Sequence, residues 1–281
     1  MKGVSKIMDT KQFSTQIRVE TLKELQHRTF GHIGGSMSIV EVLSVLYNDI
    51  MNIDPKNPSY EDRDYLVLSK GHAGPALYAT LALKGYFPIE MLKTLNDNGT
   101  NLPSHADRNK TPGIDMTTGS LGQGLSAAVG IATGLKIQNK PNKVFAIIGD
   151  GELNEGQCYE ALIFASKHKL DNLVVFVDDN KLQLDGPTKE VSDIGNMDDR
   201  FRSFAFDTRR IDGHNEKVIK EYIIDALNVK DKPSVIILDT IKGKGVKEFE
   251  NLTENHHMRF SESDNKILDK YIALLEGDLN E

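Results

Sequence analysis

Two runs of apolar residues without a polar break predict buried strands in the middle of the chain. They cover residues 144–148 and 173–177, and uninterrupted runs of this length are typical of strands covered on both faces of a parallel sheet. Between them, residues 155–168 carry Ala161, Leu162 and Ala165 at helical spacing. Strand, helix and strand predict a right-handed βαβ unit whose two strands end at the same sheet edge, where ligands bind in open α/β sheets.

Periodicity predicts the other elements of an α/β protein. Residues 60–70, 204–211 and 234–238 are predicted strands, and the predicted helices are 10–28, 39–49, 75–84, 127–135, 216–227 and 261–276. Ser38 followed by Glu41 is the pattern of a capping box at the start of helix 39–49. The expected fold is a mostly parallel sheet with helices on both faces, in one domain over residues 1–281.

Polar residues follow both central strands at the predicted sheet edge. Asp150 ends the first strand within Gly149-Asp150-Gly151, and Asn180 follows the second strand 30 residues later. The glycines allow a sharp turn whose N–H groups face a phosphate. A carboxylate, an amide oxygen and the backbone carbonyl of Leu182 are ligands that suit Mg²⁺. The alternative is an ordinary βαβ unit with a solvated acidic turn.

Histidines recur at loop positions along the chain. His32 lies in a glycine-rich loop, His72 follows the predicted strand 60–70, His105 ends a loop, and His256 and His257 lie near the C-terminus. A lone histidine is more often a structural residue, so these positions indicate a functional site only if they are considered together. A glycine-rich segment, residues 119–124, precedes the helix predicted at 127–135.

Composition narrows the class of protein. The chain has 281 residues and a net charge of −7, which argues mildly against a nucleic-acid-binding surface. Cys158, the single cysteine, is expected to pack inside a helix and fits a reducing compartment. The first ten residues lack the apolar core of a signal peptide, and no apolar run reaches the ~20 residues of a membrane helix. These features favour a cytoplasmic enzyme that binds neither nucleic acid nor membrane.

The segments GDGELNEG and VDDNKLQLDG are similar to the thiamine diphosphate signature of transketolases. The resemblance covers nearly the whole chain, but only the amino-terminal, diphosphate-binding third of a full-length transketolase. It implies a thiamine diphosphate-binding fold and a Mg²⁺ ion, or Ca²⁺ or Mn²⁺, on Asp150, Asn180 and the Leu182 carbonyl. The cofactor-binding residues it implies are His72, Gly119, Ser120, Leu121, Gly151, Glu155, Asn180 and His256.

The same resemblance assigns catalytic roles to histidines. His32, His72, His105 and His256 match family residues that contact the sugar or the cofactor, with His257 as the alternative to His256. Many transketolases have proline where Ser120 stands, and related half-length chains often have tryptophan where Asn255 stands. Glu155 and Glu160 match acids between the two cofactor sites of the family dimer.

The expected function is that of the diphosphate-binding subunit of a split transketolase in carbohydrate metabolism. Such an enzyme transfers a two-carbon ketol unit from a ketose or ketose phosphate of the pentose phosphate type to an aldose. A second subunit would supply the pyrimidine-side domain with its activating glutamate and the C-terminal domain, in a heterotetramer. The alternatives are the α-type subunit of a 2-oxo acid dehydrogenase, a deoxyxylulose phosphate synthase-like chain, and a non-catalytic homologue.

Overall fold

A five-stranded parallel sheet forms the centre of the computed structural model, which describes residues 8–280. Residues 1–7, most of the segment in which no signal peptide is predicted, and residue 281 lie outside the described range. In chain order the elements are α1 (Thr10–Arg28), β1 (Phe30–Gly31), α2 (Ile33–Met37), α3 (Val40–Val45), β2 (Tyr65–Leu68), α4 (Gly74–Lys84), α5 (Gln123–Ile137), β3 (Val144–Gly149), α6 (Gly156–Lys167), β4 (Leu173–Asp179), α7 (Thr188–Val191), α8 (Met197–Ser203), β5 (Asp207–Asp212), α9 (Glu216–Asn228), β6 (Ser234–Asp239), β7 (Met258–Arg259) and α10 (Glu262–Asn280).

The strand order is β2–β3–β4–β6–β5, and every neighbouring pair in this sheet is parallel. The central pair is β3 and β4, which confirms that the two apolar runs are adjacent parallel strands joined by a helix. Asp150 and Asn180 each follow directly after one of these strands. The sheet therefore brings both residues to the same edge.

Helices cover both faces of the sheet, as the sequence predicts. Phe145 and Phe176 belong to a core with α1, α3, α4, α9 and α10, whereas Ala146 and Val175 belong to a core with α5, α6 and α8. Neighbouring residues of one strand thus enter different cores, since side chains alternate along a strand. Both faces must be apolar, which explains the unbroken apolar runs. Cys158 is buried and free in the second core.

A second, smaller sheet joins distant parts of the chain. Strands β1 and β7 form a two-stranded antiparallel ribbon, in which Phe30 pairs with Arg259 and Gly31 with Met258. The ribbon brings the segment after α1 next to the segment before α10. His32 and His257 directly follow and precede the paired residues, so the ribbon places them side by side.

Several predicted boundaries are wrong. Strand β2 covers only Tyr65–Leu68 of the predicted 60–70, because Asp64 leaves the sheet to accept the N–H groups of Asn52 and Lys143. Strand β5 begins at Asp207, three residues later than the predicted 204, because the chain turns at Ala205 with a φ of 60°. The predicted helix 39–49 changes at residue 46 from α3 into a π-helical turn.

The predicted capping box at Ser38 and Glu41 is also wrong. Ser38 makes no cap; its hydroxyl donates to Asp178 Oδ2 at 2.6 Å. Glu41 binds Arg18 and lies 3.2 Å from His214 Nδ1. Tertiary partners thus replace the local cap that the sequence pattern indicated.

The predicted sharp turn at Gly149-Asp150-Gly151 does not depend on its glycines. Neither has a positive φ, so the turn itself does not require glycine. A Cβ at Gly151 would lie 2.9 Å from Gln183 Cγ, so the residue allows a close approach of two loops. A left-handed glycine is instead found at Gly122, with a φ of 83°, just before α5.

None of the helices in the part of the chain that the structure describes has the length and apolar character needed to cross a bilayer.

Candidate active site

A cavity of about 270 Å³ lies at the carboxyl edge of β2, β3 and β4. It brings together most of the residues predicted from the sequence, although they come from distant parts of the chain. The predicted residues in its lining are His32, His72, His105, Gly119, Leu121, Asp150, Gly151, Asn180, Leu182 and His256. Ser120, Glu155 and Glu160 are not in this lining. Ser120 borders a neighbouring opening beside His105 and Gly119, and both glutamates are exposed.

The acidic end of the cavity contains the three predicted metal ligands. Asp150 is buried, and its carboxylate accepts the Gly151 N–H at 2.8 Å and the Thr188 hydroxyl at 2.9 Å. Burial, and then the nearby negative charge of Asp178, raise the pKa of Asp150 to about 6. A cation would reverse this effect, since an opposite charge favours the carboxylate.

Asn180 is held in one orientation by its neighbours. Its amide nitrogen donates to Asp178 Oδ2 at 2.8 Å, and its amide oxygen accepts the Leu182 N–H at 3.1 Å. Within residues 8–280 no group of three or more His, Cys, Asp or Glu side chains is arranged to hold a metal. Asp150 is the one such side chain in the predicted ligand set, because an amide and a backbone carbonyl complete it.

A buried ion pair under the cavity escaped the sequence analysis. The carboxylate of Asp178 is fully buried and accepts hydrogen bonds from Ser38, Lys70, Asn180 and Thr240. Burial raises the pKa of Asp178, but the Lys70 charge and these hydrogen bonds outweigh it and lower the pKa overall. Lys70 is also buried and donates to the Gly35 carbonyl at 2.9 Å. The network fixes the orientation of Asn180.

Glu152 is another residue that the sequence analysis missed. Its buried carboxylate accepts the N–H of Gly122 at 2.7 Å, the N–H of Gly149 at 3.1 Å, and the hydroxyl of Ser69. Ser69 in turn accepts the N–H of Leu125 at 3.1 Å. Glu152 therefore ties the turn after β3 to the glycine-rich loop before α5 and to the end of β2. An acid directly after Gly149-Asp150-Gly151 was the signal available in the sequence.

Lys242 was also missed. Its side chain is buried, and its ammonium donates to the carbonyls of Leu182 at 3.3 Å and Gln183 at 3.1 Å. It also lies 3.4 Å from His256 Nδ1. Burial and the positive charge of Lys70 lower the pKa of Lys242 to about 8. The cavity therefore has a cation close to its predicted metal ligands.

Five histidines form a cluster at the other end of the cavity, with His32 at its centre. The His32 ring centroid lies 5.5 Å from His72, 5.8 Å from His105, 5.6 Å from His256 and 4.6 Å from His257. The rings of His72 and His256 are 4.8 Å apart. The glycine loop, the end of β2 and two further loops therefore converge on one small volume.

Burial keeps most of this cluster uncharged. Burial first, and then the neighbouring histidines, lower the pKa of His32 to about 3. Burial and the charge of Lys242 lower the pKa of His256 to about 4. Burial also lowers the pKa of His72 and of His105. At neutral pH these imidazoles are neutral, so each has one nitrogen that accepts and one that donates a hydrogen bond.

The structure separates His256 from His257. His256 lines the cavity and approaches Lys242 and His72. His257 is exposed and contacts His32 and Phe30 on the outer side of the cluster. Asn255 is fully buried and donates to the carbonyls of Lys242 and Phe249. It fixes the loop that presents His256.

Comparison with known proteins identifies the family. Residues 9–274 match the family model described as the thiamine diphosphate binding domain of transketolase. The 6-deoxy-6-sulfo-D-fructose transketolase subunit of Clostridium sp. (strain MSTE9) is 51% identical over 255 residues, which cover 91% of this chain and 93% of that protein. One of the apulose-4-phosphate transketolase subunits of Phocaeicola vulgatus is 39% identical, with 89% of each chain covered.

Solved structures agree with this result. The transketolase of Campylobacter jejuni superposes with a TM-score of 0.86 at 31% identity over 95% of this chain, but the match covers only 43% of the Campylobacter chain. The chain thus spans less than half the length of that transketolase, but nearly the full length of the relatives named as subunits. It belongs to the transketolase family, as a subunit of the amino-terminal, thiamine diphosphate-binding type.

Proposed function

We propose that this chain is the diphosphate-side subunit of a two-chain transketolase that moves a two-carbon ketol unit from a ketose to an aldose. One observation carries the proposal: a single cavity joins Asp150, Asn180 and Leu182 at one end to four histidines at the other. The first set suits a cation and a diphosphate, and the second suits a polyhydroxylated substrate. We take residues 1–281 as one domain, with the pyrimidine-side and C-terminal domains on a second chain.

The donor set fits a hard divalent cation. Asp150 offers a carboxylate, Asn180 an amide oxygen and Leu182 a backbone carbonyl, all oxygen ligands as Mg²⁺, Ca²⁺ or Mn²⁺ requires. Asp150 is buried and close to a second carboxylate, Asp178, and both raise its pKa, so a bound cation would stabilise its charged form. We propose Mg²⁺ as the resident ion, because diphosphate oxygens and water complete its coordination sphere.

Thiamine diphosphate, when bound, supplies the carbon nucleophile that accepts the two-carbon fragment. The chain's part is to bind and orient it. We assign the diphosphate to the turn at Gly151, with the Lys242 ammonium near its negative charge. Backbone groups of Gly119, Ser120 and Leu121 border the same region from the loop that Glu152 anchors. His72, Asn180 and His256 complete the assignment, and Glu155 contributes from the rim.

The histidines are assigned to the sugar. His32, His72, His105 and His256 are neutral at pH 7 by the pKa shifts given above, so they can both donate to and accept from hydroxyl groups. A neutral imidazole can also take the proton of a sugar hydroxyl while the carbon–carbon bond next to that hydroxyl breaks. It can return the proton in the reverse step. Positioned proton transfer of this kind contributes typically ~10²–10⁴-fold to a rate.

The partner and the donor sugar are further parts of the proposal. Two relatives that match this chain nearly end to end are named as transketolase subunits, which supports a second subunit here, in a heterotetramer. The more similar relative is named for 6-deoxy-6-sulfo-D-fructose and the less similar one for apulose 4-phosphate. We therefore rank a sulfonated ketose first among donors, ahead of pentose and hexose phosphates. A cytoplasmic location agrees with the free, buried Cys158.

The test is to isolate the chain with its partner and assay ketol transfer. The complex, purified with thiamine diphosphate and Mg²⁺, should transfer a two-carbon unit from 6-deoxy-6-sulfofructose or fructose 6-phosphate to an aldose phosphate. Turnover of pyruvate with a dithiolane acceptor, or with glyceraldehyde 3-phosphate, would instead favour a 2-oxo acid dehydrogenase or a deoxyxylulose phosphate synthase. Cofactor binding without turnover of any substrate would favour a non-catalytic homologue.

The metal assignment has its own test. Asp150→Ala should lower Mg²⁺-dependent binding of thiamine diphosphate by roughly 100-fold or more, since even residues that only support a metal ligand typically change affinity 10–100-fold. Titration calorimetry on the complex gives the affinity. Asp185→Ala is the matched control, because Asp185 is an exposed acid on the loop after Leu182. Unchanged cofactor affinity in Asp150→Ala would contradict the assignment.

A further inference from the structure

Glu24 is a buried acid that lacks a partner. It lies on α1 and is 2% exposed, and neither oxygen of its carboxyl group has a hydrogen-bond partner among residues 8–280. The other buried acids in this range all accept hydrogen bonds or form ion pairs: Glu41, Asp64, Asp150, Glu152, Asp178 and Asp179. A buried polar group without a partner is rare, because it loses its contacts with water and gains none in return. The packing of the chain alone therefore gives no reason for a carboxyl group at this position.

A cavity of about 450 Å³ lies directly beside Glu24. It is bounded by one face of α1 and by the short helical segment Ile89–Thr94. Glu20, Glu24 and His27 line it from α1, where positions three and four apart share a face. Leu92 lines it from the opposite side. None of these residues lines the active-site cavity, so the two cavities are separate.

The charges around this cavity balance except for that of Glu24. Lys23 pairs with Glu20, with the ammonium 3.1 Å from the carboxylate. Lys93 and Glu90 are both exposed at the rim and offset each other's charge. One carboxyl group, that of Glu24, is left without a matching cation in the lining.

A bound cation would change the protonation of Glu24. Burial first, and then the negative charge of Glu20, raise the pKa of Glu24 well above its usual range. An opposite charge favours the carboxylate, so a positively charged ligand would counteract both causes. The ionisable groups around Glu24 are Glu20, Lys23 and His27 of α1, Tyr78 of α4, Glu90 and Lys93 of the segment, and Glu276 of α10, which reaches Lys23.

We propose that this cavity binds a small primary ammonium ion with a short apolar chain, and that Glu24 is its counter-ion. An ammonium needs only one carboxylate, whereas a metal needs several ligands, and the side chains of residues 8–280 offer no group of three acids, histidines or cysteines for one. Ile89 and Leu92 provide apolar walls for the chain of the ligand. The oxygens of Glu24 lie below the cavity surface, so its side chain turns outward as it binds. The site is independent of the proposed ketol transfer.

Titration calorimetry of the full chain with butylammonium chloride tests the proposal, and 1-butanol is the uncharged probe of the same shape. The chain should bind butylammonium saturably, and butanol at least about 10-fold more weakly. Glu24→Gln keeps the shape of the side chain but removes its charge, and should weaken butylammonium binding by about 10–100-fold, as expected for the loss of a charged hydrogen bond. In the wild type the affinity should rise with pH, because a proton and the ammonium compete for the same carboxylate.

The matched control is Glu221→Gln, which removes the charge of an exposed acid on α9 and should leave the affinity unchanged. Absence of saturable binding by the wild type, equal binding of butanol, or an unchanged affinity in Glu24→Gln would overturn the proposal. NMR of the wild-type chain locates the ligand without any variant, because amide shifts should change most in residues 20–27 and 89–93. Shift changes centred on the active-site histidines would place the cation elsewhere and would refute the site.

Discussion

The two ends of the active-site cavity are built in opposite ways. At the acidic end, Asp178 and Glu152 each accept at least three hydrogen bonds from within the chain. At the histidine end, the imidazoles of His32, His72 and His105 form no hydrogen bond with any residue between 8 and 280, and contact one another mainly through their ring faces and edges. The acidic end is thus rigid before any ligand binds, whereas the histidine end leaves its polar atoms for a substrate.

This difference separates stability from function. The buried charges of Asp178 and Glu152 are stable only while their partners are present, so removal of one of these partners should lower the stability of the chain. The imidazoles of His32, His72 and His105 are neutral and form no hydrogen bond within residues 8–280, so changes there should affect substrates more than folding. A site that holds a cofactor firmly needs side chains fixed by hydrogen bonds within the chain, as at the acidic end. A site that exchanges protons with a substrate needs polar atoms free to contact it, as at the histidine end.

The largest loss of stability is expected from the buried ion pair. Lys70→Met should lower the free energy of unfolding by about 3–5 kcal/mol, because it leaves the Asp178 carboxylate buried without a counter-ion. Urea denaturation of the isolated chain measures the change. The double variant Lys70→Met/Asp178→Leu should recover part of the lost free energy of unfolding, since no unpaired buried charge remains. A loss under about 1 kcal/mol in the single variant would show that the acidic end is not the rigid end.

A histidine variant should reverse this pattern. His32→Asn should lower kcat/KM for ketol transfer by roughly 10²-fold or more, which corresponds to about 2.7 kcal/mol, because the variant lacks a group that can accept a proton from the substrate. The free energy of unfolding should change by less than about 1 kcal/mol, since the ring has no hydrogen-bond partner among residues 8–280 to lose. Kinetics of the complex and urea denaturation of the chain give the two values. If His32→Asn lost as much free energy of unfolding as transition-state stabilisation, the histidine end would be as important for folding as the acidic end.

The loop that presents His256 should show an intermediate effect. Asn255→Leu leaves the carbonyls of Lys242 and Phe249 without their buried donor, and an unsatisfied buried group costs about 1–3 kcal/mol. The free energy of unfolding should fall by about that amount, and kcat should fall with it because His256 loses its fixed position. Thr253→Ala, on the same loop but half-exposed, is the control. Normal kcat with lowered stability would show that Asn255 supports the fold alone.

The sequence predicted the positions of Asp150 and Asn180 at the sheet edge better than it predicted the residues that support them. Asp150 and Asn180 could be inferred because strand ends of parallel neighbours must meet, and their position depends only on the apolar runs before them. Lys70, Asp178 and Glu152 were missed because charged residues beside a strand are usually solvated, and their burial depends on partners more than 80 residues away. The wrong capping box at Ser38 has the same cause, since a distant carboxylate took its hydroxyl.

The histidines were predicted by resemblance alone, and the distinction between His256 and His257 needed the structure. The two residues are adjacent in the sequence, but a buried Asn255 turns the loop so that one ring enters the cavity and the other stays outside. The sequence pattern does not show this, because the partners of Asn255 are backbone carbonyls of the preceding connection, at Lys242 and Phe249. The β1–β7 ribbon is equally invisible, since each strand has only two residues.

The smallest effect per residue is expected in the pH dependence of the free energy of unfolding. Its sign differs between the histidine end and the acidic end. The pKa of His32 is lowered to about 3 and that of His256 to about 4, so both bind fewer protons in the folded chain than in the unfolded chain below about pH 6.5. The free energy of unfolding should therefore fall as the pH drops, by about 0.7 kcal/mol per histidine between pH 7 and 6. The raised pKa of Asp150, about 6, acts in the opposite direction. The folded chain binds a proton at Asp150 more readily than the unfolded chain does, so this residue raises the free energy of unfolding as the pH drops. The measurement is the difference between wild type and His32→Asn in urea denaturation at several pH values, in which the contribution of Asp150 cancels. A variant whose stability falls as steeply with acid as that of the wild type would show that His32 is not kept neutral by burial.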